Sequence, residues 1–181
     1  VKSAFPKLLP LVSHNLSPMA TLAKYIKDTD EKSKIVFIGP CTAKKAEAQL
    51  ETVKPYVDAV LTFEELTNWL KDENIEIIRE EEKEDTGKAR LFPTTGGILK
   101  TMELDNSEFT YLALDGVENC IDALKDIENG KIHKCFIEMS ACEGSCINGP
   151  IMNKLNSQPI NDYIAIANYA GEKDFEVSMK P

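Results

Sequence analysis

Two cysteines with three residues between them, Cys142 and Cys146, lie in a stretch that can aim both sulfurs at one point: Phe136-Ile-Glu-Met-Ser-Ala-Cys-Glu-Gly-Ser-Cys-Ile-Asn-Gly-Pro150. An apolar run reaches Met139, and Glu143, Gly144 and Ser145 are small or polar, so the chain can coil tightly there. A second stretch, Ile35-Val-Phe-Ile-Gly-Pro-Cys-Thr-Ala-Lys-Lys45, has the same plan, with Cys41 where a Gly-Pro turn opens after an apolar run. Thiolates four apart suit a soft metal or an iron–sulfur cluster. A redox dithiol fits the same spacing, so both chemistries stand at this point.

Cys41 is far from the pair in sequence and joins it only if two strand ends meet. A parallel sheet does this, because its strand ends share one edge, and open α/β sheets place their chemistry there. Lys44 and Lys45 follow at once and could offset thiolate charge. Cys120, within an amphipathic helical pattern, and Cys135, inside a strand pattern, read as small core residues. Three thiolates remain, whereas a cubane cluster takes four. For such a cluster one ligand would be missing, exchanged for another group, or located before Val1. His14 and His133 sit in polar segments without metal-like spacing and read as local, solvated groups. Thr94-Thr-Gly-Gly97 could cradle an anion at a helix start, although close backbone packing is the plainer use. No Ser/His/Asp set, zinc-protease helix or phosphate-binding P-loop is present.

The elements that must position these residues alternate. Leu16-Ser-Pro-Met-Ala starts a helix, with Ser17 as cap and Pro18 in the first turn. Ile35 to Ile38 is a β-branched and aromatic run expected of a buried parallel strand, and Lys44 to Leu50 follows as a helix. Val57 to Leu61 is the next strand, and Thr62-Phe-Glu-Glu65 is a capping box for a helix carrying Leu66, Trp69 and Leu70. Ile75 to Ile78 reads as a short strand or extended segment, and Arg79 to Asp85 as a solvated charge run. A helical stretch follows Thr94–Leu99. Phe109 to Leu114 is a strand, Gly116 to Asn129 a helix, Cys135 to Met139 a strand, and Pro159 to Ala170 a last helix before a polar tail. This order implies an α/β fold, mainly a parallel sheet flanked by helices.

The chain has 181 residues, 43% hydrophobic and 28% charged, enough for one domain with a core or one lobe of something larger. A net charge of −9 argues against nucleic acid as a partner. No apolar run approaches the roughly 20 residues that span a bilayer, so no membrane association is expected. Five scattered cysteines do not make a secreted disulfide framework, which points to a reducing, cytoplasmic setting. The chain opens on Val1 and Phe5-Pro-Lys-Leu-Leu-Pro10, text expected of a mid-domain fragment.

Taken together, Gly39-Pro-Cys-Thr-Ala-Lys-Lys-Ala-Glu47, Thr94-Thr-Gly-Gly97 and Glu138-Met-Ser-Ala-Cys-Glu-Gly-Ser-Cys-Ile-Asn-Gly149 resemble the C-terminal domain of the iron-only ([FeFe]) hydrogenase large subunit. Leu16-Ser-Pro-Met19 and Val57-Asp-Ala-Val-Leu-Thr-Phe-Glu-Glu-Leu66 are lesser marks of the same likeness, which runs from about Phe5 to Gly149. The resemblance implies the H-cluster, a [4Fe–4S] cubane bridged by one cysteine to a two-iron subcluster. Cys41 and Cys142 would bind the cubane and Cys146 would bridge both parts. Lys44 matches a lysine that contacts a cyanide of the two-iron site, and Glu47 matches a glutamate of the proton path. Ser17, Pro40 and Ser140 fall at positions lining the cofactor. The missing ligand and the cysteine that hands over protons would belong to a motif before Val1. The 181 residues would then be a single domain fragment, one lobe of a two-lobed domain, with residues 151–181 as a C-terminal helix and tail.

The departures from the family's pattern carry meaning too. Gly39 and Ser140 stand where active hydrogenases usually have Met, and Ser145 replaces a glycine of the Cys-x-Gly-Gly-Cys form. Asn148-Gly-Pro150 replaces a longer glycine-rich run. A more polar surround shifts the potential and reactivity of a cluster, and the pattern looks more like the sensory or regulatory branch. The resemblance therefore implies reaction with H2 and protons, in turnover or in sensing. A ferredoxin-type electron partner or fused signalling modules would go with it. The alternative is a [4Fe–4S]-only module for redox sensing or electron transfer, and a third reading is a Cys142/Cys146 dithiol.

Overall fold

The computed structural model describes residues 1–78, 87–102, 108–152 and 158–173. Its chain divides into two compact units, one formed by Ser13–Glu80 with Pro150–Met152, the other by Val1–Val12, Glu81–Gly149 and Asn153–Pro181. The strands are parallel and the helices flank them, so the α/β class read from the alternation holds. The described strands form two pairs, one in each unit. No helix among the described residues is long and apolar enough to cross a membrane. The expected charge run at Arg79 to Asp85 lies outside the described residues.

In the first unit, helix α1 (Pro18–Thr29) starts at Ser17, whose Oγ accepts from the Ala20 N–H at 3.3 Å. Its apolar spacing puts Met19, Ala20 and Ala23 on one face, and these bury against Ala48, Val53 and Val57. Strand β1 (Val36–Gly39) pairs in parallel with β2 (Ala59–Thr62), in the register Val36↔Ala59 to Gly39↔Thr62. A parallel pair needs a crossover of a dozen or more residues. This one contains the short helix α2 (Ala43–Glu47) and a run of turns. The helix expected from Lys44 to Leu50 thus stops at Glu47. Beyond it, Gln49 and Leu50 donate to carbonyls three residues back, at Ala46 and Glu47, which tightens the chain into turns.

Thr62 ends β2 and caps α3 (Phe63–Asp72) in the box the sequence predicts. The Glu65 N–H donates to Thr62 Oγ1 at 3.1 Å, and the Thr62 N–H donates to Glu65 Oε2 at 2.8 Å. Ile75 to Ile78 joins no strand, and Ile77 and Ile78 are 70% and 78% exposed. β-Branched composition favours a strand only where a neighbour pairs with it.

In the second unit, β3 (Thr110–Asp115) pairs in parallel with β4 (Cys135–Ser140), from Thr110↔Cys135 to Asp115↔Ser140. Helix α4 (Val117–Glu128) makes the crossover, entered through Gly116 at φ +82°. The helical stretch expected after Leu99 is a 3-10 turn, Leu99–Thr101. Helix α5 (Pro159–Ala170) packs on the 3-10 turns Lys88–Leu91 and Ser145–Asn148. Two cation–aromatic contacts hold α5: Arg90 lies 4.3 Å from the Tyr169 ring centre, and Lys100 Nζ lies 5.2 Å from the Tyr163 ring centre while donating to its hydroxyl at 2.8 Å.

Candidate functional site

The first unit carries Ser17, Pro40, Cys41, Lys44 and Glu47. Cys41 stands two residues beyond the end of β1, and the Ala43 N–H donates to its sulfur at 3.3 Å. One turn later, Lys44 Nζ meets Glu47 Oε2 at 2.5 Å, and both side chains are about three-quarters shielded from solvent. The other carboxylate oxygen, Oε1, accepts the Ser17 hydroxyl. Glu47 is thus gripped from two helices: α1 supplies a hydroxyl through its cap residue, and α2 supplies an ammonium three residues back. Sequence reading found Ser17 and Glu47 separately. Their contact spans 30 residues and leaves no local signal.

Lys45 points to a different partner, the Glu65 carboxylate that closes the α3 capping box. Both lysines expected to offset thiolate charge are therefore paired with carboxylates. Pro40 offers its carbonyl to the Ile151 N–H at 3.4 Å. Gly39 is buried, and a Cβ there would lie 2.6 Å from Phe37 Cε1, so the ring fills the space beside the backbone.

The second unit carries Ser140, Cys142 and Cys146. β4 ends at Ser140, and the chain then turns through Gly144 at φ +74° and Ser145 at φ +62°. Glycine adopts the first conformation freely, whereas serine there is strained by roughly 1–2 kcal/mol. The strain is matched by local bonds. The Ser145 N–H donates to the Cys142 carbonyl at 2.9 Å, the Gly149 N–H donates to the Cys146 carbonyl at 3.0 Å, and the Ser140 and Ser145 Oγ atoms lie 2.9 Å apart. Ser145 is 2% exposed, Cys142 is half-buried and Cys146 is exposed. The tight coil read from Glu143-Gly-Ser145 is present between the two cysteines.

Two further ties fix this turn, and sequence reading missed both. Asp115, the last residue of β3, accepts the Gly144 N–H at 3.1 Å and the Thr95 hydroxyl at 2.6 Å, on the same oxygen, Oδ2. The Ile147 N–H donates to the Pro93 carbonyl at 3.2 Å. The Thr94–Gly97 loop therefore serves packing in this unit. Thr94 is fully buried, and a Cβ at Gly97 would collide with the Leu91 carbonyl.

The remaining cysteines and histidines stand apart. Cys120 is half-buried and its thiol donates to the Ser140 carbonyl at 3.5 Å. Burial, with the Asp115 carboxylate as a lesser cause, pushes that thiol's pKa up, so it stays protonated at neutral pH. Cys135 donates to the His133 carbonyl at 3.3 Å. Neither is fully buried, so both are partly exposed thiols instead of the core residues expected. His14 and His133 are exposed. No disulfide joins the five cysteines. Among the described residues, no group of three or more His, Cys, Asp or Glu is arranged to hold a metal ion. The three thiols singled out by sequence divide one to two between the units.

Comparison with known proteins gives a consistent answer. The family model described as iron only hydrogenase large subunit, C-terminal domain, matches residues 1–150. Iron hydrogenase 1 of Clostridium pasteurianum is 25% identical over 198 residues, which covers 80% of this chain and 34% of that protein. The periplasmic [Fe] hydrogenase large subunit of Nitratidesulfovibrio vulgaris is 25% identical over 202 residues, covering 82% of this chain and 48% of that protein. The chain thus spans between a third and a half of these curated relatives. Among solved structures, the [FeFe]-hydrogenase HydA(deltaEFG) superposes with a TM-score of 0.64 at 19% identity, over 90% of this chain and 61% of that one. A variant of HydA1 from Chlamydomonas reinhardtii gives 0.62 at 18% identity over the same shares. At such identity the structural likeness speaks for the fold.

Proposed function

This chain belongs to the family formed by the C-terminal domain of the iron-only hydrogenase large subunit, and from that premise we propose that it is one lobe of a domain that holds an H-cluster and reacts with H2 and protons. The observation that carries the reading is the placing of the thiols. Cys41 and Cys142 each stand two residues beyond the C-terminal end of a parallel strand, β1 and β4, in turns where backbone N–H groups donate to the Cys41 sulfur and the Cys142 carbonyl.

The donor chemistry fits an iron–sulfur group. Cys41, Cys142 and Cys146 are soft ligands, and none is in a disulfide. Cys41 and Cys142 would hold a [4Fe–4S] cluster, Cys146 would bridge to a two-iron subcluster, and a ligand from outside these residues would complete the set. When bound, such a centre would be the place at which H2 is split or formed, taking up the electrons in the first direction and giving them up in the second. The chain's own residues do the rest. Glu47 holds or passes a proton at Oε1, against the Ser17 hydroxyl, while Oε2 anchors Lys44 Nζ and fixes the direction in which that ammonium leaves α2. Pro40 and Ser140, next to Cys41 and two residues before Cys142, would line the group.

Two departures from the family's pattern favour a second reading, a [4Fe–4S]-only module for redox sensing or electron transfer. Phe37 occupies the room a Met at position 39 would need, and Ser140 is paired with Ser145 where the pattern has an apolar sulfur. The test is an infrared spectrum of the full-length parent, matured anaerobically with its cluster-assembly enzymes. Metal-bound CO and cyanide bands that change under H2 support the H-cluster. Iron and sulfide without those bands leave the second reading. A reversible Cys142–Cys146 disulfide without iron overturns both, and Cys41→Ser abolishes iron binding under either.

A further inference from the structure

We infer that Asp115 is a positioning residue for the two loop cysteines, setting the Cys142–Cys146 turn from the end of the neighbouring strand. Gly144 lies midway between the two thiols, and its N–H is the group through which the turn is held from outside on this side. That N–H does not bond within the turn. It points to Asp115 Oδ2, 3.1 Å away, across 29 residues of sequence. The carboxylate is itself oriented, because Thr95 donates its hydroxyl to the same oxygen at 2.6 Å.

The strand register makes this possible. Asp115 is the partner of Ser140 in the β3–β4 ladder, so the carboxylate leaves the sheet where the cysteine turn begins. The next residue keeps the approach open. Gly116 lies at φ +82°, and a Cβ there would stand 3.3 Å from Glu143 Cγ, tighter than ordinary contact. At 3.1 Å the bond has ordinary N–H···O length, and a carboxylate acceptor strengthens it relative to a neutral one. It therefore helps to hold Gly144 in its left-handed conformation. Any movement of Gly144 displaces the peptide units on both sides, and with them both sulfurs. Asp115 acts through the backbone and touches neither thiol's chemistry directly.

The functional meaning rests on the reading of Cys142 and Cys146 as ligands, but the geometry can be tested without iron. In the full chain, reduced and metal-free, hydrogen exchange at the Gly144 amide is compared among wild type, Asp115→Asn and Asp115→Ala. Binding of phenylarsine oxide, which needs two thiols at a fixed separation, is measured in parallel, with Cys142→Ser as the blank. Asp115→Ala is expected to speed Gly144 exchange about tenfold or more and to weaken arsenical binding. Exchange at Leu112 and Ile137 inside the β3–β4 ladder should not change. Asp115→Asn keeps an acceptor oxygen and should restore most of both effects. Unchanged Gly144 exchange in Asp115→Ala, or equal acceleration throughout the ladder, overturns the proposal. Should that variant not fold, Thr95→Val removes only the orienting hydroxyl. A several-fold faster Gly144 exchange then supports the proposal and an unchanged rate overturns it. Loss of cluster binding with these results intact would strike the proposed function alone.

Discussion

The Oγ atoms of Ser140 and Ser145 lie 2.9 Å apart, which ties the last residue of β4 to the left-handed residue before Cys146. A serine at position 145 must adopt φ +62°, which its side chain resists, and the hydroxyl of residue 140 meets it there.

Removing either member of the pair should have unequal effects. Ser140→Ala leaves the nearly fully buried Ser145 hydroxyl without this partner and should cost about 1–3 kcal/mol. Ser145→Gly also loses the bond but releases the left-handed strain, so its stability should stay within about 1 kcal/mol of wild type. Urea midpoints of the two variants decide this. Equal losses would mean that the backbone at position 145 is not strained.

The grip on Glu47 joins two helices. Ser17→Ala removes a cap and a donor to Glu47 at once, and should cost about 1 kcal/mol or somewhat more. Because Ser17 and Glu47 share a hydrogen bond, a double-mutant cycle with Glu47→Gln should show a coupling of at least about 0.5 kcal/mol. Additive losses would show that the two side chains act separately in solution.

Acid should act through Asp58. The Ile35 N–H at 2.8 Å, then Lys27 and Lys34, hold its carboxyl well below the usual carboxylate range. A folded-state pKa depressed in this way stabilises the protein above the unfolded value near 3.8, and the benefit is lost as pH falls from there through the folded value. Asp58→Asn should be less stable than wild type at neutral pH, and the difference should shrink steadily below about pH 4. Denaturation midpoints across that range check it. A gap that stays constant would show that Asp58 contributes nothing through its charge.

Thr62 offers the cleanest test of a local device. Thr62→Ala removes the acceptor of the Glu65 N–H and should cost roughly 0.5–2 kcal/mol. It should also loosen the Lys45–Glu65 pair, because Glu65 loses one side of its box. Thr62→Ser should recover most of the loss. A serine variant as unstable as the alanine variant would point to the buried methyl group instead.

What the sequence revealed was whatever is decided within a few residues. The α1 cap at Ser17, the Thr62–Glu65 box, the helix through Val117 and Ile121 and the coil between Cys142 and Cys146 all rest on short-range chemistry. The contacts that complete the cysteine loop of each unit do not. Ser17 reaches Glu47, Asp115 reaches Thr95 and Gly144, and Lys45 reaches Glu65, each across 20 or more residues. Those distances are closed only by tertiary folding; the β3–β4 crossover, for one, brings Gly144 back to Asp115. Of the two readings for Ile75 to Ile78, strand or extended segment, the strand does not form for the same reason, since nothing among the described residues pairs with it.

Thr62 has a consequence for how Cys41 keeps its place. The residue is at once the last rung of β2, opposite Gly39, and the cap of α3. A slip of β2 by one residue would turn its buried face outward. It would also carry α3 with it and stretch the Glu65 bond to Lys45. Two penalties of different kinds thus fall on the same displacement, which makes Thr62 an indexing pin. The thiol at position 41, two residues past the rung that Thr62 sets, inherits its alignment from a strand to which it does not belong.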